Sequence, residues 1–323
     1  MPSEFDLIRR HFTRPAAHTL LGIGDDAALI THKTDTVLAI STDTLVCGRH
    51  FFADADPGTL GHKSLAVNLS DMAAMGATPR WCLLALTLPE HLANNDSSWL
   101  TDFSRGFFAL ADLHQVALIG GDTTVGPLNI GVQIIGEVAA EHALRRSSAQ
   151  LDDDIWVSGL IGDAALALQH SLRHVCLDDD DLVHCMPALL TPSARVELGQ
   201  RLIGLAHSAI DVSDGLMADL GHILEQSGKA GVIYLADIPC STALQKHLPS
   251  LLALQCLLAG GDDYELCFTA SPDRRSEIIA LSVDLNLPLT RIGSICPGTG
   301  LVVKDPEGNT VTLETTGYDH FTA

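Results

Sequence analysis

Short apolar segments that end near aspartate residues constrain the fold of this chain most strongly. Residues 37–40 and 116–119 are apolar runs rich in β-branched side chains, and Asp43 and Asp122 come shortly after them. Such runs, bounded by glycine or small hydroxyl residues, predict buried strands. Segments with helical periodicity lie between them, which predicts an α/β protein. Because strand ends in such folds meet at a crevice where ligands bind, we expect the acids to converge there.

The segment 60–74 has the pattern of an amphipathic helix. Its apolar and polar residues each recur with the spacing i, i+4, i+7. The apolar stripe consists of Leu65, Leu69 and Met72, and the polar stripe of Ser64, Asn68 and Asp71. The pattern therefore predicts a helix that carries Asp71 on its polar face.

A polar stretch at 140–154 predicts a domain boundary, with one domain at 1–140 and a second at 141–323. A chain of 323 residues is long enough for two domains of ordinary size. The strands and the helix predicted for the second domain lie at 155–157, 163–172, 232–235, 265–269 and 301–303. The run of aspartates Asp178–Asp181 predicts a solvated loop.

The chain carries a formal charge of −21, from 40 acidic and 19 basic residues. A surface of this sign repels nucleic-acid phosphates and anionic membranes, so we expect neither as a partner. Eight cysteines without a Cys-x-x-Cys pair, and an N-terminus without a signal-peptide pattern, predict reduced thiols in the cytoplasm. No apolar run approaches the ~18 residues that a membrane helix needs.

Further acids stand beside glycine or a small hydroxyl residue, namely Asp25, Asp26, Asp211, Asp214, Asp262 and Asp263. Converging carboxylates repel one another, and burying them unpaired is costly, so bound cations are expected. Oxygen ligands without histidine or cysteine favour Mg²⁺ or Ca²⁺ over zinc. Mg²⁺ usually binds one or two carboxylates together with phosphate oxygens, so the pattern points to several ions and a polyphosphate. The neighbouring glycines fit close approach of backbone to phosphate.

Simpler interpretations of these residues stay open. A single Gly-Asp or Ser-Asp pair is commonly a turn or a helix cap, and Ser213 fits a cap. Residues 22–27 superficially match a dinucleotide-binding fingerprint, but two acids would face the pyrophosphate and no clear strand precedes them. Residues 228–230 read Gly-Lys-Ala and do not complete a Walker A sequence. A non-enzymatic cation-binding protein should carry repeated Asp-x-Asp-x-Asp-Gly loops, which the sequence lacks.

An ordered set of segments covers nearly the whole chain. They are GIGDDA at 22–27, STDTLV at 41–46 followed by His50 and Phe51, KSLAVNLSDMAAMGATP at 63–79, LIGGDTT at 118–124, IDVSDGL at 210–216, GGDDYEL at 260–266 and GYDHF at 317–321. Together they resemble the thiamine-monophosphate kinases, in the superfamily that includes aminoimidazole ribonucleotide synthetase and selenophosphate synthetase. One such segment would be a weak signal, whereas the ordered set is specific.

The resemblance implies an α/β (α+β) architecture of two domains, with an N-terminal domain that forms a homodimer through its sheet and a site in the cleft between the domains. It implies an enzyme that uses ATP and several Mg²⁺ ions to phosphorylate thiamine monophosphate directly, with no dedicated catalytic base. The implied metal ligands are Asp26, Ser41, Thr42, Asp43, Asp71, Asp122, Asp211 and Asp214. The implied ATP contacts are Gly121, Asp122, Arg146 and Ser213, and the implied thiamine-monophosphate contacts are His50, Asp262 and Tyr318.

The sequence departs from the family pattern in a few positions. Asp262 stands where relatives often have glutamate, Val125 where a basic residue is common, and Thr315-Thr316 where some relatives carry tryptophan. The departure at Asp262 bears on its implied substrate contact, and that at Thr315-Thr316 on the contact with the thiamine end. The alternative is another enzyme of the superfamily with a different acceptor. Selenophosphate synthetase is disfavoured, because the first cysteine of the chain is Cys47, beyond the N-terminal glycine segment.

Overall fold

The computed structural model describes residues 3–94, 97–319 and 321. The chain forms two compact units. The first contains the described residues up to Met72 together with Ala77–Glu141, and the second contains Ala73–Gly76 and the described residues from His142 onward. His320 of the C-terminal segment lies outside the described residues.

The first unit combines three helices with two sheets. Its helices are α1 (Glu4–His11), α2 (Pro57–Ala74) and α3 (Trp99–Leu113). Its strands are β1 (Thr19–Leu21), β2 (Leu29–Ile30), β3 (Val37–Val46), β4 (Thr78–Leu88), β5 (Ala117–Val125) and β6 (Asn129–Val138). A 3₁₀ turn spans Glu90–Leu92.

The larger sheet of this unit has the strand order β3-β6-β4-β5, and β1 and β2 form a separate antiparallel pair. Strand β4 is antiparallel to β6 and parallel to β5. Helices α2 and α3 cross at glycines, because a Cβ on Gly61 would lie 2.1 Å from the carbonyl oxygen of Phe103 and one on Gly106 would lie 1.9 Å from that of Gly58. The predicted apolar stripe of α2 is buried, which confirms the helical pattern.

The second unit is built on one sheet of seven strands. These are β7 (Asp154–Ser158), β8 (Ser208–Val212), β9 (Ala230–Tyr234), β10 (Glu265–Ala270), β11 (Leu289–Cys296), β12 (Gly300–Lys304) and β13 (Thr310–Val311), in the order β13-β12-β9-β11-β7-β10-β8. Pairing is antiparallel except between β12 and β9. The sheets of both units are therefore mixed and largely antiparallel, within the α/β (α+β) class expected from the sequence.

The helices of the second unit surround an aliphatic core. They are α4 (Asp163–Ser171), α5 (Asp179–Leu190), α6 (Val196–Leu202), α7 (Leu216–Ser227), α8 (Thr242–Gln245), α9 (Leu251–Ala259) and α10 (Arg275–Asp284), with 3₁₀ turns at Arg146–Ser148, Leu235–Asp237 and Pro272–Arg274. Buried residues of α4, α7 and α9 pack with strand residues such as Ile155 and Val212 in one hydrophobic cluster.

The aspartate run Asp178–Asp181 is not the solvated loop that its charge predicts. Asp178 caps α5, its side chain accepting the backbone N–H of Asp181, and the other three residues form the first helical turn. Negative charge is favourable at that end of a helix. Asp181 is buried, and its carboxylate accepts hydrogen bonds of 2.7 and 2.8 Å from the ammonium group of Lys246. Capping and one lysine partner thus explain why this run is ordered.

Among the described residues, no helix combines the length and the apolar character required to span a membrane.

Candidate functional site

A cavity of about 990 Å³ in the first unit collects several of the predicted site residues. Asp25, Asp26, Gly121 and Asp122 line it, together with apolar side chains such as Ile119. Contrary to the sequence expectation, a short strand, β1, does precede the segment 22–27. Strand β2 comes after this segment, in place of the helix that a dinucleotide-binding loop requires, so that interpretation is still excluded.

Two of the predicted acids lie inside strands and not at strand ends. Asp43 lies within β3 and Asp122 within β5. The pairing of β3 with β6 runs without interruption from Val37 to Val46, so the polar residues from Ser41 to Thr44 are held in a regular ladder. Tertiary pairing with β6 therefore outweighs the local turn signal of Ser-Thr-Asp-Thr.

The predicted polar face of α2 meets strand β3. The Ser41 hydroxyl donates a hydrogen bond of 2.5 Å to Oδ2 of Asp71. The backbone N–H of Asp43 donates to the side-chain oxygen of Asn68 over 3.2 Å, and the Asn68 amide donates in turn to the Ser64 carbonyl oxygen over 3.1 Å. The structure thus brings Ser41 together with Asp71, and holds the backbone of Asp43 beside the same helix.

Asn68 is a positioning residue that the sequence analysis did not include among the site residues. It is completely buried on α2 and contacts the backbone at Asp43. The signal that could have identified it was present, because Asn68 belongs to the polar stripe that also contains Ser64 and Asp71. A buried asparagine has to be hydrogen-bonded, so its place on the stripe implies a specific polar partner.

The side chains of Thr42 and His50 are hydrogen-bonded to backbone groups of the first unit. The Thr42 hydroxyl donates to the carbonyl oxygen of Val132 over 3.0 Å, on the face of β3 opposite that of Ser41 and Asp43. His50 accepts the backbone N–H of Val46 at its Nδ1 over 3.0 Å. In the neutral imidazole the proton is therefore on Nε2, which leaves that nitrogen as the hydrogen-bond donor.

The oxygen-bearing side chains of the first unit could hold a magnesium ion only together with phosphate or water. Within residues 3–94, 97–319 and 321, no group of three or more His, Cys, Asp and Glu side chains could hold a metal ion by itself. Mg²⁺ in phosphate-binding sites commonly takes only one or two carboxylates, because water and phosphate oxygens complete its coordination. The Ser41 hydroxyl and the Asp71 carboxylate, which lie together, could provide such a partial set of oxygen atoms.

In the second unit, strand β8 and the turn after it carry three predicted site residues: Asp211 lies in β8, and Ser213 and Asp214 lie in the turn. Two other segments hydrogen-bond to this turn. The backbone N–H groups of Tyr264 and Asp262 donate to the carbonyl oxygens of Val212 and Ser213 over 2.8 and 2.9 Å, and that of Tyr318 donates to Asp214 over 2.9 Å. The segments 210–216, 260–266 and 317–319, which are far apart in sequence, are thus joined through backbone bonds.

Asp219 lies beneath this turn and was also missed by the sequence analysis. Its Oδ2 accepts the backbone N–H groups of Ser213, Asp214 and Gly215. Burial, together with the nearby Asp214 carboxylate, raises the pKa of Asp219 to about 7, although the three hydrogen bonds act in the opposite direction. Its position in the first turn of α7 resembles an ordinary dipole-compensating acid, which is why its sequence context gave no distinct signal.

The segment 260–266 is held in an unusual backbone conformation. Asp262 and Tyr264 have φ angles of 71° and 51°, and the Tyr264 hydroxyl donates to Asp262 Oδ1 over 2.9 Å. Between them, Asp263 is buried and accepts the backbone N–H of Gly162 at 2.9 and 3.0 Å. Burial raises the pKa of Asp263 well above its ordinary value. Asp263 therefore anchors the segment, while Asp262 is only half-buried.

The remaining predicted contacts of the second unit are more exposed. Arg146 is exposed in the 3₁₀ turn Arg146–Ser148, and its carbonyl oxygen accepts a hydrogen bond of 3.0 Å from the Ser227 hydroxyl. Tyr318 has 38% of its surface exposed, and its backbone is bonded to Asp214. The side chains of both residues keep surface on which a ligand could bind.

The glycines beside the acids have a packing role that the sequence interpretation did not anticipate. A Cβ on Gly121 would lie 1.9 Å from the carbonyl oxygen of Leu84, and one on Gly261 would lie 2.3 Å from that of Ser213. Protein backbone, and not a ligand, already occupies the space that these glycines leave. Gly24 differs, because its φ is +128° and nothing lies within 4 Å of a Cβ there.

Comparison with known proteins agrees with this arrangement. The family described as AIR synthase related protein, N-terminal domain, matches residues 24–138. The fold and the acidic site define a protein of the aminoimidazole ribonucleotide synthetase-like superfamily. The thiamine-monophosphate kinase of Escherichia coli (strain K12) is 46% identical over 323 residues, 98% of either chain. This chain belongs to the thiamine-monophosphate kinase family.

Solved structures give the same result. The crystal structure of thiamine-monophosphate kinase from Stenotrophomonas maltophilia K279a is 48% identical, with a TM-score of 0.84 over 95% of this chain and 96% of that one. A structure described as AaThiL complexed with AMPPCP and TMP is 29% identical, with a TM-score of 0.78 over 93% of this chain and 92% of that one. The similarity thus extends across both units of the chain.

Proposed function

We propose that this chain is an ATP-dependent kinase that phosphorylates thiamine monophosphate to thiamine diphosphate. The observation that carries the proposal is full-length similarity to thiamine-monophosphate kinases, at 46% identity over 98% of the chain for the Escherichia coli enzyme. The related structure with AMPPCP and TMP bound supports the choice of substrates. Hydroxyl and carboxyl side chains such as Ser41 and Asp71 also lie together, as expected for a kinase that binds metal and phosphate.

The reaction is a single in-line transfer. A phosphate oxygen of thiamine monophosphate forms a bond to the γ-phosphorus of ATP, and the bond from that phosphorus to the bridging oxygen of ADP breaks. The attacking oxygen is already anionic, so no side chain has to remove a proton and no catalytic base is assigned. Several Mg²⁺ ions, when bound, would supply the positive charge that lets two anionic phosphates approach in a protein of charge −21.

We assign the predicted residues to three roles. The metal ligands are Asp26, Ser41, Thr42, Asp43, Asp71, Asp122, Asp211 and Asp214. Gly121, Asp122, Arg146 and Ser213 contact ATP, and His50, Asp262 and Tyr318 contact thiamine monophosphate. For His50, the hydrogen bond from Val46 to Nδ1 supports a role in which Nε2–H donates to the substrate. For Arg146, exposure of its side chain leaves the guanidinium accessible to phosphate.

The test is formation of thiamine diphosphate from purified protein, thiamine monophosphate and ATP, with and without Mg²⁺. Product that depends on the metal is the expected result. If ATP binds but no diphosphate forms, the acceptor is wrong and the alternative of another enzyme of the superfamily applies, so other phosphate acceptors are then screened. Binding of Mg²⁺ or Ca²⁺ without any binding of nucleotide would instead indicate a non-enzymatic cation-binding protein.

The first unit is also proposed to form a homodimer through its larger sheet. Strand β3 is an edge strand, and Val37, Ile40 and Val46 expose 45%, 59% and 37% of their surface. A long edge with exposed apolar side chains readily pairs with a second chain.

The test of the homodimer is light scattering on the protein as it elutes from a size-exclusion column. The parent should have the mass of a dimer, and Ile40→Lys should have the mass of a monomer. The matched control is Ile279→Lys on α10, where isoleucine is 56% exposed, and it should stay dimeric.

A cytoplasmic location fits the cysteines. All eight are free thiols, and Cys82, Cys185, Cys256 and Cys267 are buried. Burial raises the pKa of Cys185 and Cys256 to about 12, so these thiols are protonated and unreactive at neutral pH. So many unpaired thiols are typical of proteins in a reducing compartment such as the cytoplasm.

A further inference from the structure

The turn from Ser213 to Gly215 is held entirely by bonds within the protein. Oδ2 of Asp219 accepts the N–H groups of Ser213, Asp214 and Gly215 over 2.9, 3.0 and 3.1 Å. The carbonyl oxygens are also engaged, since Ser213 accepts from Asp262, Asp214 from Tyr318 and Gly215 from Asp219. Every backbone donor and acceptor of the three residues therefore has a protein partner.

The backbone N–H groups of this turn are consequently not available to a phosphate, which leaves the side chains of Ser213 and Asp214 to recognise it. The backbone N–H groups that would otherwise bind phosphate point toward Asp219, which is 3% exposed. Gly215 cannot be explained by a close phosphate either, because its φ is +127° and a Cβ there would lie 2.7 Å from the backbone of Ala259. The backbone from which the Ser213 and Asp214 side chains project is thus held by Asp219.

We propose that Asp219 is a positioning residue that orients Ser213 and Asp214 toward the metal–nucleotide complex. The inference rests on the proposed kinase function. Asp219 itself is too buried to contact a ligand, and it acts through the backbone of the turn. The carboxyl oxygen fixes three successive amides at once, so its loss frees the N–H groups of all three residues, although their carbonyl bonds remain. Because phosphoryl transfer depends on positions accurate to about 1 Å, such a change lowers turnover strongly.

The simpler explanation is that Asp219 only stabilises the start of α7, as acids in a first helical turn commonly do. The two explanations differ in their consequences. Helix stabilisation alone changes the free energy of unfolding and leaves the kinetic constants of the folded enzyme unchanged. Positioning of the turn changes the Mg²⁺ requirement and the turnover of enzyme that is still folded.

The test compares Asp219→Asn and Asp219→Ala with Asp153→Asn. Asparagine keeps an acceptor oxygen but loses the charge, whereas alanine removes the acceptor. Asp153 is a matched control in the same unit, because it is 2% exposed and its carboxylate also accepts a backbone N–H, that of Gln150. The other oxygen of the Asp153 carboxylate is hydrogen-bonded to Nδ1 of His207. None of these control residues carries a predicted site role.

The first readout is independent of activity. Hydrogen exchange in the peptide that covers 213–215 should be slow in the parent protein, faster in Asp219→Asn and fastest in Asp219→Ala, with no change there in Asp153→Asn. Unchanged exchange of this peptide in a folded Asp219→Asn protein would overturn the proposal. If Asp219→Ala does not fold cooperatively, the exchange rates of Asp219→Asn and Asp153→Asn are compared instead, and this comparison decides whether the proposal holds.

The second readout is the Mg²⁺ concentration for half-maximal activity at saturating substrates. We expect at least a threefold increase in Asp219→Asn together with a lower kcat and an unchanged KM for thiamine monophosphate, and no such change in Asp153→Asn. An Mg²⁺ requirement within twofold of the parent, or an equal change in both variants, would contradict positioning. If the parent forms no thiamine diphosphate, the proposed function fails. Calorimetric titration with Mg²⁺ and a non-hydrolysable ATP analogue then tests Asp219 separately, and equal affinity in parent and Asp219→Asn would overturn its role.

Discussion

Carboxylates of this chain have two kinds of surroundings, and these determine what each residue does. Asp43 and Asp71 lie half-buried at the contact of β3 with α2. Asp163, by contrast, is 5% exposed in α4, where Ser241 donates to it over 2.5 Å and the Cys185 thiol over 3.7 Å. The first kind keeps surface for a ligand, whereas the second is enclosed by protein donors.

Asp43→Asn and Asp71→Asn should each lower kcat/KM by about 100-fold or more, because each removes a charged oxygen from the metal-binding set. Both variants should unfold cooperatively at nearly the parent temperature, since neither side chain is part of the hydrophobic core. Steady-state assays and thermal unfolding check the two halves of the prediction. Asp35→Asn is the control, because Asp35 is exposed with a φ of 67°, a conformation that asparagine tolerates, and full activity is expected. Loss of cooperative unfolding in Asp43→Asn and Asp71→Asn would mean that these acids are structural.

Asp163→Asn should change how stability depends on pH. Burial is the largest cause that raises the pKa of Asp163, and it outweighs the hydrogen bond from Ser241. A raised folded-state pKa gives stability that is present below the unfolded value of 3.8 and is lost as the pH rises through the folded value. The amide does not titrate, so Asp163→Asn should gain stability relative to the parent as the pH increases. Urea unfolding from about pH 4 to pH 8 measures this, and a constant difference between the two proteins contradicts it.

At the scale of elements, contacts between backbones explain the glycines better than contacts with a ligand. Helices α2 and α3 approach closely at Gly58, Gly61 and Gly106. These helices therefore pack with backbone against backbone, a contact that no larger side chain permits.

Gly106→Ala should destabilise the protein by about 1–3 kcal/mol, because the added methyl group overlaps the carbonyl oxygen of Gly58 and pushes α3 away from α2. Gly221→Ala is a matched control in the interior of α7, where nothing lies within 4 Å of the added Cβ. That control should be neutral or stabilising by up to about 1 kcal/mol, since alanine favours helix. Urea denaturation measures both, and equal effects would refute the packing explanation.

Sequence periodicity predicted some elements well and others poorly for identifiable reasons. The stripe of α2 was predicted over 60–74 and the helix spans Pro57–Ala74, because its side-chain contacts follow the helical repeat. The extent of β3 was not predicted, because its pairing with β6 depends on residues far along the chain. Asn68 was missed for a similar reason, because only the folded chain brings the backbone amide of Asp43 near it. Asp219 was missed because an acid in the first turn of a helix gives no distinct signal.

The whole molecule carries a net charge of −21, which affects every encounter with an anionic substrate. Free ATP is repelled at distances up to about a Debye length, roughly 8 Å at physiological ionic strength. Bound divalent metal reverses the sign of the local interaction. Nucleotide binding is therefore expected to depend on metal and salt in a coupled way.

In metal-free buffer, raising the salt concentration should strengthen the weak binding of a non-hydrolysable ATP analogue, because salt screens the repulsion. With saturating Mg²⁺ the same increase in salt should weaken binding, because salt then screens an attraction. Calorimetry at about 50 and 300 mM KCl, with and without Mg²⁺, gives the four affinities needed. Salt dependence of the same sign in both series would show that metal does not carry the attraction.

The turn over Asp219 has a consequence for how this site can diversify. Its shape is fixed by bonds between backbone groups and by the carboxyl oxygen of Asp219, none of which involves the side chains of Ser213 or Asp214. Substitutions at these two positions can therefore alter what the site accepts without altering the loop that presents them. Within a superfamily whose members act on different substrates, such a division lets new specificity arise in small, individually tolerated steps.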